Sequence, residues 1–285
     1  MIYFTDQEID DLLIEDVPYF DLTTSILRLE NKPAKIQFFT REDTVLCCTE
    51  EVMKIFNKVG IQTTLFTPSG EFIGKGIKFF EGEGLAKNIQ AVMRASENLM
   101  GFASGMATRT RLLIEKAREI NPAVIIATTR KTIPYTKKIA LKAVTAGGAI
   151  IHRLGLSESI LVFDNHYSFL GGLENLKKRI SEQKNLISGK IITVEVKNAA
   201  DARLIADAGI DIIQLDRLEY KEINMLKKEI SDINPGVKIA VTGHITLDNV
   251  EDFTRTGADI LVTSWPYFGE PSDFMVTVAP IFDIY

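Results

Sequence analysis

Two stretches decide how this chain is read: "IADAGIDIIQLD" at residues 205–216 and "FTRTGADILVTS" at residues 253–264. Each runs from the end of a helical pattern through a glycine, one further residue and an aspartate into an apolar strand. Gly209 and Gly257 stand where the left-handed residue that closes a helix belongs. The two stretches are therefore copies of one helix-to-strand unit. Working outward, strand-like runs occur at 123–128, 159–163, 191–196, 211–215, 237–242 and 259–263. Helical patterns lie between most of them, at 136–146, 173–184, 198–208, 219–230 and 246–256. Strands alternating with helices imply parallel pairing and right-handed crossovers. Strands apolar on both faces fit either a doubly wound sheet or an α/β barrel.

The first hundred residues read differently. After an amphipathic start ("EIDDLLIED") come short strand-like stretches, "AKIQFFTRE", "TVLCC", "IQTTLFT" and "GIKFFEGEG", with a helix at "EEVMKIFNKVG". Glycines punctuate them as turns. This pattern predicts a small α+β domain on an antiparallel or mixed sheet. A long helix follows over roughly 87–120, in which Gly101 and Gly105 allow close packing or a break.

Composition narrows the classes. At 285 residues, 46% hydrophobic and 25% charged, the chain has the make-up of a soluble globular protein of one large domain or two unequal ones. No apolar run approaches the roughly 20 residues that span a bilayer. The start, "MIYFTDQEIDDLLIED", lacks the basic and apolar regions of a signal peptide, so the expectation is a cytoplasmic protein without a membrane partner. A formal charge of −5 with no basic stripe argues against a nucleic-acid partner. Cys47 and Cys48 are adjacent, have no second pair to complete a zinc spacing, and fit small core residues.

On an acidic chain, local cations carry information. Arg130 and Lys131 follow the strand at 123–128, and His152 and Arg153 follow the short apolar run "GGAII". One such pair fits a solvated turn; two, both at strand ends, point to an anion site, because ligand sites form at the carboxyl ends of parallel strands. Glu195 and Asp216 lie in or at the end of apolar strands, where an unpaired carboxylate is costly. They are either paired with cations as structural glue or part of a Mg²⁺ site completed by water and substrate phosphate. "VTGH" and "VTSW", with Thr242, Gly243, His244, Thr263 and Ser264, offer hydroxyls and a glycine where a phosphate could be cradled. Together these groups describe an enzyme joining an anionic acceptor to a phosphorylated sugar donor.

These residues resemble a known family. "TTRKT" (128–132), "HRLGLSESILVFDNH" (152–166), "VEV" (194–196) and "QLD" (214–216) run in the order found in quinolinate phosphoribosyltransferases, also called nicotinate-nucleotide pyrophosphorylases. "EDVPYFDLTT" (15–24) and "RASENLMGFASGMAT" (94–108) extend the resemblance over nearly the whole chain. "HRLGLSE", "LVF" and "PYFGEPSDFMV" (266–276) look closer to the ModD branch, pyrophosphorylases associated with molybdenum-transport operons.

The resemblance implies a small N-terminal α/β sandwich domain over 1–105, joined by the C-terminal segment 266–285. It also implies an incomplete, six- to seven-stranded parallel α/β barrel over 106–265. It implies transfer of the 5-phosphoribosyl group of 5-phosphoribosyl 1-pyrophosphate with Mg²⁺. With quinolinate the products are nicotinate mononucleotide, CO₂ and pyrophosphate. On this resemblance Arg130, His152 and Arg153 hold the acceptor's carboxylates, and Lys131 faces acceptor and donor. Glu195 and Asp216 serve the ribose and the Mg²⁺ shell, and 242–244 with 263–264 hold the 5-phosphate. Arg94 matches an arginine that enters the neighbouring subunit's site, which implies at least a homodimer.

Several positions depart from the family pattern. Thr128 stands for an acid, Phe163 for a lysine, Arg217 for an asparagine, Gly243–His244 for a Gly-Gly pair and Ser264 for a glycine. Losing a cation beside a dianionic acceptor costs about 1–3 kcal/mol. The expectation is a retained donor site and an acceptor less charged than quinolinate, or quinolinate used poorly. Two rivals are a Schiff-base aldolase with Lys131 as nucleophile and a non-catalytic ligand sensor that keeps the pocket. A zinc site of the three histidines is a further, weaker reading.

Overall fold

A computed structural model of the chain describes residues 2–183 and 185–282; the last three residues of the segment 266–285 lie outside them. In chain order, α1 (Asp6–Asp16) and α2 (Leu22–Ile26) precede β1 (Pro33–Thr40), β2 (Thr44–Val45), α3 (Thr49–Lys58), β3 (Gln62–Phe66), β4 (Phe72–Ile73) and β5 (Lys78–Leu85). The long α4 (Ala86–Ile120) leads to β6 (Ile125–Thr128), α5 (Lys137–Gly147), β7 (Ile150–Ile151), β8 (Ile160–Val162), α6 (Asp164–Tyr167) and α7 (Leu173–Glu182). Then follow β9 (Ile192–Val196), α8 (Ala199–Ile205), β10 (Ile212–Asp216), α9 (Tyr220–Ile233), β11 (Lys238–Thr242), α10 (Val250–Arg255), β12 (Ile260–Thr263) and β13 (Phe274–Pro280). None of the described helices is long and apolar enough to cross a membrane. The chain divides into two compact units, Met1–Arg111 with Ile133–Gly148 and Pro266–Tyr285, and Leu112–Thr132 with Ala149–Trp265.

The first unit is built on an antiparallel sheet in the order β13-β1-β5-β3. Alternation along β1 buries Ala34, Ile36, Phe38 and Thr40 on one face, as a half-buried strand requires. Phe56 of α3 meets the edge of Phe80 at 5.2 Å and tilts against Phe38 at 6.4 Å. Gly82 on β5 makes that packing possible, since a Cβ there would stand 2.8 Å from the Phe56 ring. The "TVLCC" strand is shorter than its sequence suggests and ends at Val45. Beyond it the Cys47 N–H donates to Ser104 Oγ (2.9 Å), and Cys48 turns left-handed at φ 64° to open α3. Both cysteines are fully buried, as expected of core residues. α4 runs unbroken through Gly101 and Gly105, so these glycines serve close packing: a Cβ on Gly105 would lie 2.6 Å from the Glu270 carbonyl.

An ion cluster ties α3 to α5. Lys142 Nζ reaches Glu50 Oε2 at 2.8 Å and also pairs with Glu51, and all three side chains are largely withdrawn from solvent. Burial alone would raise the Glu50 carboxyl, but hydrogen bonds from Lys142 and then from Ser69 outweigh it and hold it at about 2.

The second unit is a seven-stranded parallel half-barrel in the order β7-β6-β12-β11-β10-β9-β8. Strand order therefore follows chain order around the sheet, with β7 and β8 as its two edges. Ala127, Ala240 and Val262 pack at its centre with Ile212 and Ile260. The repeated Gly-x-Asp now has a physical reason. Asp211 Oδ2 accepts the Ile192 N–H of β9 (2.7 Å), and Asp259 Oδ2 accepts the Ile239 N–H of β11 (2.8 Å). In each case the aspartate's own N–H returns a bond to the same residue's carbonyl, at 3.0 and 2.9 Å. Gly209 and Gly257 are left-handed, at φ 75° and 80°.

Two outcomes are expected. Asp259→Ala should lower unfolding stability by about 1–3 kcal/mol in urea titrations, because it orphans a strand N–H and Lys227. The depressed Glu50 carboxyl contributes stability that is present above its ordinary value of 4.5 and lost as pH falls toward 2. Lys142→Met should flatten that acid loss in thermal melts, while costing about 3–5 kcal/mol at neutral pH by leaving Glu50 and Glu51 unpaired.

Candidate active site

All the candidate residues except Arg94 belong to the second unit, at or just beyond the carboxyl ends of its strands. Pairing of β6 with β7 continues one residue past the strand, since the His152 N–H donates to the Thr128 carbonyl at 3.0 Å. That bond sets "TTRKT" beside "HR". Arg130 and Lys131 are exposed, whereas Arg153 is only 8% exposed. Its Nη1 donates to the Ser159 carbonyl at 3.4 Å, and its Nε is buried without a partner. Burial, and then the charge of Arg130, lower the pKa of Arg153. Among the described residues no carboxylate oxygen lies within 4 Å of Arg130, Lys131 or Arg153. Two guanidinium groups that repel each other, one of them buried without a counter-charge, have the chemistry to receive an anion.

Glu195 and Asp216 stand on the neighbouring strands β9 and β10, and Glu195 is the register partner of Gln214. Gln214 Nε2 donates to Glu195 Oε2 at 2.6 Å, an orientation fixed by chemistry because only the amide NH₂ can serve a carboxylate. The Glu195 carboxyl is pushed up by burial; Gln214 opposes this, and the charge of Asp216 adds to it. An all-oxygen pair of this kind fits a hard cation that keeps its waters and takes further oxygens from substrate. His152 is pushed down by burial and by Arg153, against an opposing interaction with Gln214. Gln214 Oε1 is buried and makes no aligned hydrogen bond. Sequence reading missed Gln214; its signal was a polar residue two positions before Asp216 in an apolar strand, hence on the same face.

A cavity of about 300 Å³ opens at the ends of β10, β11 and β12. Lys131, Asp216 and Arg217 line it together with Thr242, Gly243, His244, Thr263 and Ser264. Thr263 Oγ1 donates to the Ile245 carbonyl (2.7 Å) and accepts the Trp265 N–H (3.0 Å), which braces both loops. Asn249 does the same, accepting from the Thr246 N–H and donating to the His244 carbonyl. Gly243 is required twice over: its φ is 114°, and a Cβ would stand 2.6 Å from Arg217 Cγ. Among the described residues nothing accepts the backbone N–H of Gly243 or His244.

Other expected residues fall apart. Arg94 lies on α4 in the first unit, exposed and paired with Glu97 Oε2 at 2.6 Å. His166 stacks on Phe163 and accepts that residue's N–H at Nδ1, 2.9 Å away. The three histidines do not meet, and no cluster of three His, Cys, Asp or Glu side chains forms among the described residues.

With this geometry in view, comparisons with known proteins agree along the whole length. The model of the quinolinate phosphoribosyl transferase C-terminal domain matches residues 106–276, and that of the N-terminal domain matches residues 21–104. A Pasteurella multocida protein named "Putative pyrophosphorylase ModD" is 33% identical over 98% of this chain and 99% of its own. A Methanothermobacter thermautotrophicus protein named "Probable nicotinate-nucleotide pyrophosphorylase [carboxylating]" is 29% identical over 89% of this chain and 91% of its own. Among solved structures, the nicotinate-nucleotide pyrophosphorylase of Francisella tularensis superposes with a TM-score of 0.87 at 26% identity, covering 96% of this chain and 95% of that one.

Because Arg153 is buried without a counter-charge, Arg153→Leu is expected to raise the melting temperature while abolishing binding of small carboxylates, measured by calorimetry with quinolinate as probe. A pairing role for Arg153 would instead lower the melting temperature.

Proposed function

This chain belongs to the quinolinate phosphoribosyltransferase family, and from that premise we propose that it moves a 5-phosphoribosyl group from 5-phosphoribosyl 1-pyrophosphate to a carboxylated nitrogen heterocycle, releasing pyrophosphate. The observation that carries the reading is the dry, unpaired guanidinium of Arg153 beside Arg130, on the same strand-end rim as a cavity of phosphate-binding chemistry. In this reading Arg130, His152 and Arg153 grip the acceptor's carboxylate, and Lys131, which lines the cavity, bridges toward the donor. The 242–244 and 263–264 loops take the 5-phosphate through the Ser264 hydroxyl and free N–H groups.

The acceptor's ring nitrogen attacks the anomeric carbon, and the bond to pyrophosphate breaks with its electron pair leaving on that group. Glu195 and Asp216 face the positive charge that builds at the ribose. They are also the residues that would hold Mg²⁺, which when bound neutralises charge on the leaving pyrophosphate. A divalent cation would offset both the burial that raises the Glu195 carboxyl and the lesser contribution of the Asp216 charge.

The acceptor is the open half. Phe163 is half-buried at the end of β8 and stacks on His166, offering an apolar face where the family carries a lysine. That favours a ring with less negative charge than quinolinate. The reading also takes the protein as a cytoplasmic homodimer or larger homo-oligomer. Tyr19 is 90% exposed and Ile26 69%, apolar surface that a second copy would cover, and Arg94, exposed and paired only with Glu97 of its own helix, would exchange that partner for the copy's site.

Pyrophosphate release from 5-phosphoribosyl 1-pyrophosphate and Mg²⁺ is the test, first with quinolinate and then with monocarboxylated pyridines. Expected is acceptor-dependent release, lost by about 10²-fold or more in Arg130→Ala and Glu195→Gln. Donor binding with no release for any acceptor would overturn transfer and leave a ligand-binding protein.

A further inference from the structure

We infer that Arg217 is a phosphate-binding residue of the strand-end cavity, its guanidinium clamping the phosphomonoester end of the sugar donor. The inference rests on the phosphoribosyl reading and names a group that reading did not use.

Backbone conformation points to it first. Five non-glycine residues are left-handed among those described, and two of them, Arg217 at φ 58° and His244 at φ 56°, line this one cavity. A residue with a Cβ adopts that conformation at a cost, and such strain persists where the surroundings enforce it, commonly at ligand sites. The enforcement is visible. The Arg217 N–H donates to the Thr242 carbonyl at 3.0 Å, and its side chain passes so close to Gly243 that no Cβ fits there. An asparagine or glycine would take the same turn more easily, so neither stability nor turn chemistry asks for arginine here.

The guanidinium is also uncommitted. Its only carboxylate neighbour among the described residues is Asp216 Oδ1, 3.9 Å from Nε, beyond hydrogen-bond reach, and its side chain is 68% exposed. Around the same cavity stand the Lys131 ammonium, the Ser264 hydroxyl and the unclaimed N–H groups of Gly243 and His244. This is a donor-rich cavity of about 300 Å³, which holds a tetrahedral dianion with room left for the sugar that carries it. A phosphomonoester has three terminal oxygens, enough to accept from Arg217, the loop N–H groups and a hydroxyl together.

The test is calorimetric titration of the full-length protein with ribose 5-phosphate and, separately, with pyrophosphate, both without metal. Arg217→Gly and Arg217→Asn should each weaken ribose 5-phosphate binding by about tenfold or more, as expected for a charge-assisted bond. Arg217→Gly should at the same time hold or raise the melting temperature, because glycine relieves the left-handed backbone; a merely structural arginine would lower it. Wild-type affinity for ribose 5-phosphate in both variants would overturn the inference alone. Weakening confined to pyrophosphate would overturn the assignment to the phosphomonoester end. Failure of the unsubstituted protein to bind ribose 5-phosphate would overturn the phosphoribosyl reading itself, and this inference with it.

Discussion

Asp211 and Asp259, each accepting an early backbone N–H of the strand beside it, make the bonds on which the parallel half-barrel depends. They anchor β10 to β9 and β12 to β11 at the start of each pair and so set where the strands finish. Asp216 comes level with Thr242, Thr242 with Val262, and Thr263 with Thr128. A slip of one residue would turn Glu195 and Asp216 from one face of the sheet to the other. The carboxyl rim can hold a working constellation because the amino rim holds the register.

Above that frame the molecule accepts local cost. Arg153 is desolvated beside a second guanidinium, Glu195 is half-buried near another carboxylate, and Arg217 and His244 keep a backbone better suited to glycine or asparagine. None of these choices stabilises the fold. Under the proposed reading each would be relieved by a ligand of the opposite sign: a carboxylate for the cations, a hard cation for the acids, a phosphate for Arg217. Costs of this kind gathered on one rim are characteristic of binding sites.

The first unit shows the opposite economy. Its ion cluster of Lys142 with Glu50 and Glu51 is internally satisfied and links α5 to α3. Its aromatic core packs through Gly82. Its half-buried Arg109 commits its guanidinium to the Pro266 and Glu270 carbonyls, which fits a scaffold more than a site.

Much of this was legible in the chain itself. Apolar runs spaced by helical patterns and the twice-repeated Gly-x-Asp established a parallel α/β unit, and cations directly after strands marked its active rim. Strand alternation and glycine spacing outlined the smaller sheet. Other features needed the tertiary structure, because their causes lie far apart in sequence. "TVLCC" stops being a strand at Val45 because Ser104 captures the Cys47 N–H. β13 pairs with β1 across more than two hundred residues. Gln214 looks like a stray polar residue until Glu195 is placed beside it. Arg217 looks like an ordinary surface cation until Gly243 is seen pressed against it. Local periodicity and turn chemistry are written in neighbouring residues, so the sequence by itself determined the elements and the sign of the charges at their ends. Which charges meet, and which are left unpaired, follows from strand register and burial, and those only the folded chain decides.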